Sequence, residues 1–166
     1  MHIALYKPDI PQNTAAIIRL GACLSLKIHI IEPCGFSLDD SRFKRVVMDY
    51  IGFSRIFRYQ DYDIFVKENS KSRIVLMTTK AKQSYHKFKF KKNDMLLFGR
   101  ESAGVPESLH KKIQNKLKIP ISKKTRSLNV AMYVAMFLRT NERSLQRNWS
   151  VRSKEQILQE SKDIYY

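Results

Sequence analysis

Short apolar runs alternate with segments of helical period along most of this chain, and that alternation leaves few folds open. Residues 3–6, 27–31, 55–59, 73–79, 94–99 and 117–121 read as strands from their brevity and their Ile, Leu, Val and Met content. The runs at 73–79 and 94–99 are nearly unbroken, the pattern of strands buried on both faces. Helices are predicted between them, over about 13–24, 40–50, 61–68, 106–112 and 127–145. The first carries Ile17, Ile18, Leu20 and Cys23 at helical spacing, with Asn13 or Thr14 as its cap. Asp39 and Asp40 precede the second, Asp61 opens the third, and Pro106 suits the first turn of the fourth. Val130, Val134, Phe137 and Leu138 share one side of the last. Strand and helix in this order predict a single parallel α/β sheet.

The 166 residues suit one such domain, over 1–148, with 149–166 as an extension. Ser153 and Gln156 in the extension have capping-box spacing, which predicts a small helix there against the alternative of a frayed end.

A parallel sheet invites a dinucleotide-binding reading, which needs glycine in the first strand-to-helix turn. Here that turn is Lys7-Pro8-Asp9-Ile10-Pro11-Gln12-Asn13-Thr14 and holds none, so that reading is poor. Gly99 and Gly104 have phosphate-loop spacing, but Val105-Pro106 follows where Lys and Ser or Thr are required. Glycine at both ends of a loop after a buried strand still permits close backbone approach to a ligand. Cys23 and Cys34 lack paired spacing and read as reduced thiols, and the four scattered histidines argue against zinc. With no apolar run of about 18 residues and no signal-peptide core, the expectation is a cytoplasmic protein off the membrane.

The net charge of +16 is concentrated. Between Lys80 and Arg126 lie 14 basic residues and three acids. Lys80, Lys82, Lys87, Lys89, Lys91 and Lys92 are interleaved with Tyr85, His86, Phe88 and Phe90. Localised positive charge among aromatics is the footprint expected for a polyanion with stackable bases. A solvated surface explains any one lysine better. For the cluster, a phosphate backbone that relieves self-repulsion explains more.

Three segments carry the chemistry. They are Pro11-Gln12-Asn13-Thr14 with Arg19; Leu97-Phe98-Gly99-Arg100-Glu101-Ser102-Ala103-Gly104-Val105-Pro106; and Ile119-Pro120-Ile121 followed by Arg126-Ser127-Leu128-Asn129-Val130-Ala131. In that order and at those separations they resemble the SPOUT class of RNA methyltransferases. More narrowly, they are similar to the small tRNA (cytidine/uridine) 2′-O-methyltransferases of the wobble nucleotide of leucine tRNAs. Leu5-Tyr6-Lys7-Pro8, Gly35-Phe36 and Thr78-Thr79-Lys80 fit the same group, and the resemblance covers roughly residues 2–138.

The resemblance implies a parallel-sheet SPOUT fold with a C-terminal deep trefoil knot, a homodimer, S-adenosylmethionine as cofactor and tRNA as partner. By matched position the methyl donor contacts Met77, Gly99, Ile119 and Ser127, with Leu128 beside them. Arg19, Glu101 and Asn129 fall on the catalytic positions. Arg19 is expected to grip the nucleotide and stabilise the developing alkoxide, since a guanidinium stays protonated. Glu101 is expected to orient the third segment through Asn129, or to balance Arg19. Asn13 is a helix cap, an Arg19-positioning group or an RNA contact; Arg42, Arg45, Lys80 and Arg126 are candidate RNA contacts by position and charge. Ala15-Ala16 stands where members usually have Gly-Asn, and Val130-Ala131-Met132 where they have Leu-Ser-Asn. Those losses of polar groups keep two alternatives open: methylation at another tRNA or rRNA site, or an RNA-binding relative with impaired catalysis.

Overall fold

The computed structural model describes residues 1–51, 55–121 and 129–140. The strands are β1 (His2–Tyr6), β2 (Lys27–Ile31), β3 (Arg55–Tyr59), β4 (Arg73–Met77), β5 (Gln83–Ser84), β6 (Asp94–Phe98) and β7 (Asn115–Lys118). The helices are α1 (Pro11–Cys23), α2 (Ser41–Ile51), α3 (Tyr62–Glu68), α4 (Glu107–Lys112) and α5 (Val130–Thr140). The strands form one sheet in the order β3-β2-β1-β6-β4-β7-β5, and every pairing is parallel.

Alternate residues of each central strand feed opposite faces, as a period of two requires. Ile3, Leu5, Ile28, Ile30, Val75, Leu96 and Phe98 pack with Ile17 and Ile18 of α1, Val47 of α2, and Val134 and Phe137 of α5. Ala4, Tyr6, Leu76, Met95 and Leu97 pack on the other face with Phe65 of α3, Leu109 of α4 and Ile113. Both faces are therefore covered, which is why all five residues of β6 are buried.

Several expected boundaries move. Helix α1 starts at Pro11 with Ile10 at the cap position, so neither Asn13 nor Thr14 caps it. Proline at the first helical position has its φ preset and no N–H to leave unpaired, and it decides the start. Asp61 caps α3 as expected, accepting from the Ile64 N–H at 2.8 Å. Strand β7 runs over Asn115–Lys118 and not 117–121, because pairing with β4 begins at Asn115 opposite Val75. Ile119 is buried all the same, just past the strand. The last helix begins at Val130, and Asn129 caps it through Oδ1, which accepts from the Ala131 N–H at 2.8 Å. Its expected continuation to 145, the expected start at Ser127 and the extension from 149 lie outside the described residues. Strand β5 and the 3-10 turn Tyr85–Lys87 had no counterpart in the sequence reading; a two-residue strand shows no period.

Candidate active site

The carboxyl ends of β6, β4 and β7 lie side by side, since Met77 pairs with Phe98 on one flank and with Leu117 on the other. The Thr78 N–H extends this join to the Leu117 carbonyl at 2.8 Å. Met77, Gly99 and Ile119 are thereby gathered at one end of the sheet. Met77 and Ile119 are buried and make that end apolar.

The loop that leaves β6 closes on itself. Arg100 and Gly104 exchange two backbone hydrogen bonds, of 2.9 and 2.8 Å. A Cβ on Gly99 would lie 2.5 Å from the Gly104 carbonyl carbon, so Gly99 is required by the loop's own closure and not by approach to a ligand. Gly104 has φ +68, in the left-handed region, with nothing within 4 Å of where its Cβ would be.

This closed loop presents Glu101 to the first and third segments. Glu101 Oε1 accepts from Asn13 Nδ2 at 3.1 Å, and Oε2 accepts from the Asp9 N–H at 3.2 Å. Asn13 Oδ1 in turn accepts from Asn129 Nδ2 at 2.6 Å. One line of hydrogen bonds thus runs from Glu101 through Asn13 to Asn129 and joins all three segments. Glu101 meets Asn129 through Asn13. Asn13 is 7% exposed with both ends of its amide engaged, so it is not presented to solvent as an RNA contact.

Asp9 is the group that sequence reasoning missed, having been read only as part of a strand-breaking turn. Its carboxylate accepts from the Glu101 N–H at 3.1 Å and from Ser102 Oγ, and it pairs with Arg100 at 3.4 Å. Gly35 holds it from below: a Cβ there would stand 2.8 Å from the Asp9 Cβ, and the Gly35 N–H bonds the Pro8 carbonyl at 2.8 Å. An acid in the turn after β1, at the carboxyl end of a parallel sheet, was the available signal. Burial opposes ionisation of Asp9, but hydrogen bonds from Glu101 and Ser102 overcome it and hold the carboxyl well below its usual range. Burial, reinforced by Asp9, pushes the Glu101 carboxyl up. Of the two acids, Asp9 keeps the charge and Glu101 is the readier to take a proton.

The remaining candidates are dispersed. Arg19 is exposed on α1, its guanidinium 4.9 Å from the ring centroid of Tyr50 on α2. Arg42 pairs with Asp40 at 3.2 Å, Arg45 is exposed, and Lys80 approaches Glu107 at 3.9 Å. Arg126, Ser127 and Leu128 lie outside the described residues. Among the described residues no three His, Cys, Asp or Glu side chains are grouped to hold a metal, and no helix is long and apolar enough to cross a membrane. Cys23 and Cys34 are free thiols.

The model of the SpoU rRNA Methylase family matches residues 1–139. A tRNA (cytidine(34)-2′-O)-methyltransferase from Beijerinckia indica is 45% identical over 138 residues, which span 82% of this chain and 86% of that relative. A solved structure described as giving structural insights into the 2-OH methylation of C/U34 on tRNA matches with a TM-score of 0.82 at 32% identity, over 89% of this chain and 97% of that one. The SpoU methyltransferase AviRb from Streptomyces viridochromogenes, solved in complex with the cofactor AdoMet, matches with a TM-score of 0.70 at 19% identity, over 83% of this chain and 57% of that one, and shares the fold.

Proposed function

The chain belongs to the SpoU rRNA methylase family, and from that premise we propose that it methylates the ribose 2′-hydroxyl of the wobble nucleotide, cytidine or uridine 34, of leucine tRNAs. S-adenosylmethionine is the donor. The observation that carries this reading is the line of hydrogen bonds that ties Glu101, Asn13 and Asn129 together beside the ends of β6, β4 and β7. Relatives named for methylation of nucleotide 34 support the position of the modified ribose.

The residues present fit the donor. Met77 and Ile119 offer apolar walls to an adenosine, and the open space at Gly104 leaves the loop backbone approachable. Met77, Gly99 and Ile119, with Ser127 and Leu128, would hold it. When bound, the donor supplies a methyl group activated by a sulfonium.

The protein's own task is to place a hydroxyl in line with that methyl and ease loss of its proton. Arg19 grips the nucleotide phosphate and stabilises the developing alkoxide, and its guanidinium keeps its proton throughout. Glu101 is a positioning residue. It fixes Asn13, which fixes Asn129 and with it the start of α5. Asn129 gives one amide hydrogen to Asn13 and keeps the other for the nucleotide. Asp9 holds the charge of the acid pair and fixes the loop that presents Glu101, and the hydroxyl's proton passes to water.

The same reading makes Arg42, Arg45, Lys80 and Arg126 contacts to tRNA phosphates. It makes the protein a cytoplasmic homodimer, supported by Met132 and Met136, which α5 leaves 57% and 42% exposed. It gives the domain at 1–148 a trefoil knot, supported by a strand order in which β4 lies between the later strands β6 and β7. Residues 149–166 are an extension beyond that domain.

The test is methyl transfer from labelled donor to tRNA that lacks the mark, followed by digestion to nucleosides. Label on the 2′-oxygen of nucleotide 34 is expected, and label on a base would overturn the assignment. Arg19→Ala should abolish transfer while donor binding by calorimetry persists.

A further inference from the structure

The lysine-rich segment after β5 carries more than a general positive field. Between the turn Tyr85–Lys87 and the start of β6 the chain returns from the carboxyl end of the sheet to its amino end. On the way Phe88 and Phe90 turn inward. They pack edge-to-face at 4.8 Å, and Phe90 meets Phe137 of α5 at 4.7 Å. Lys87, Lys89 and Lys91 point out and are exposed, as is Lys92. Phe88 and Phe90 are therefore the strap's attachment and not a platform for stacked bases, and the exposed lysines follow one another along the strap. Lys87 closes the 3-10 turn, and beyond it residues two apart on an extended chain stand about 6–7 Å from each other, comparable to successive phosphates along one nucleic-acid strand.

The row is held rigid by a built anchor. Asp94 is buried, and Arg73 binds it through two nitrogens at 2.7 and 2.6 Å. Asp94 also accepts from the Lys91 N–H at 2.7 Å. Arg73 donates to the Lys89 carbonyl at 2.9 Å, and its guanidinium lies 4.7 Å from the Phe88 ring centroid. Asp94 is thus committed to Arg73 and the backbone. Several other described cations are paired, Arg42 with Asp40, Lys44 with Asp39, Arg58 with Glu32, Lys80 with Glu107 and Arg100 with Asp9, while Lys67, Lys111 and Lys112 on α3 and α4 are not. Lys71, Lys87, Lys89, Lys91 and Lys92 make no ion pair with a described residue. At the far end, Lys71, Arg73, Lys91, Lys92, Asn93 and Asp94 line an open cleft of about 510 Å³.

We propose that this strap, Lys87, Lys89 and Lys91 continuing into Lys71 and Lys92 at the cleft, is a second docking surface that takes the phosphodiester backbone of the tRNA outside the wobble nucleotide. The inference rests on tRNA being the substrate. A run of exposed cations with no ion pair to a described residue, on a backbone anchored by Arg73 and Asp94, matches a phosphate chain in charge. It reads no bases through Phe88 and Phe90, whose rings are packed against each other and toward α5. The strap supplies affinity, and the site at the other end of the sheet supplies the choice of nucleotide.

The experiment is the triple variant K87Q/K89Q/K91Q, assayed for binding full-length tRNA across about 50–200 mM salt, where counterion release is steep. The slope of log affinity against log salt should fall by about two to three, and affinity at about 0.1 M salt should fall about tenfold or more. Donor binding and the rate at saturating tRNA should be retained. A control triple, K67Q/K111Q/K112Q, removes the same charge from α3 and α4 on the other face and should change binding much less. Unchanged affinity and slope in the strap variant would overturn the proposal, as would an equal loss in the control. Loss of binding to anionic phospholipid vesicles with tRNA affinity intact would also overturn it. The single variant K89Q, which leaves the Arg73-to-carbonyl bond in place, should show about one third of the change in slope. If the wild type binds RNA but fails to methylate nucleotide 34, the functional reading falls while the strap is still judged by its own variants.

Discussion

Asn13 is where the three segments can be uncoupled by one substitution. In Asn13→Ala the Glu101 carboxylate loses its amide donor, at 3.1 Å, and the Asn129 amide loses its acceptor, at 2.6 Å. Each hydrogen bond contributes about 0.5–1.5 kcal/mol net, so the pair is worth about 1–3 kcal/mol. If that free energy holds the segments in the reactive arrangement, single-turnover methyl transfer should slow about fivefold to a hundredfold, since about 1.4 kcal/mol is a factor of ten. Donor affinity should fall much less, because Met77 is held by the strand register and Gly99 by the closure of its own loop. Asn13→Asp separates geometry from mere packing. It keeps the acceptor for Asn129 but turns a second carboxylate toward Glu101, whose own carboxyl is already pushed up by burial. The rate of this variant should be lowest above neutral pH and recover as the pH falls, because a proton shared between the two acids restores a donor. Rates are read by rapid quench on both sides of neutral pH. A wild-type rate in Asn13→Ala, or an Asn13→Asp rate that follows the wild-type pH profile, would refute the view that this line of bonds assembles the site.

Two further outcomes follow from the structure. Gly99→Ala places a Cβ 2.5 Å from backbone and must open the loop, whereas Gly104→Ala finds space but sits at φ +68. Calorimetry with S-adenosylhomocysteine should show donor affinity lost in the first and mostly kept in the second, whose cost is about 1–2 kcal/mol of stability; the reverse order would contradict the loop's account. His2 and His29 stack at 5.3 Å and are bonded at 3.2 Å, and His29 bonds Tyr59 at 2.8 Å. Burial, with the neighbouring charges adding to it, lowers both to about 4. With a folded value below the unfolded one near 6.5, a histidine must lose stability as the pH falls from about 6.5 toward 4, because the unfolded chain binds the proton first. For His29 alone that is about 2 kcal/mol at pH 5, visible in urea melts, and a His29→Phe variant should show a flatter profile; identical slopes would exclude His29 as the source.

The strand and helix order was legible because each central strand is apolar enough to announce itself and each helix has a period. Lys27–Ile31 coincides with its expected limits for that reason, and the edge strand Arg55–Tyr59 coincides as well. What escaped was decided at a distance. Nothing local to Lys7-Pro8-Asp9 says that Asp9 will meet the Glu101 and Ser102 loop more than 90 residues on, and Asn13 reads as a cap until Pro11 is seen to occupy the first helical position. The strap is the opposite case, because its alternation of Lys and Phe had an obvious meaning that composition alone obscured. A period of two on an extended segment sorts side chains onto two faces, so rings and cations cannot both be offered to one ligand. Once Phe88 and Phe90 are seen to anchor the strap against Phe137, the lysines are left as a charge row with no stacking partner of their own. Affinity for a phosphate backbone and selection of a nucleotide then fall to different ends of the sheet, and substitutions at the two ends should change different kinetic constants: tRNA KM at the strap, kcat at Asn13.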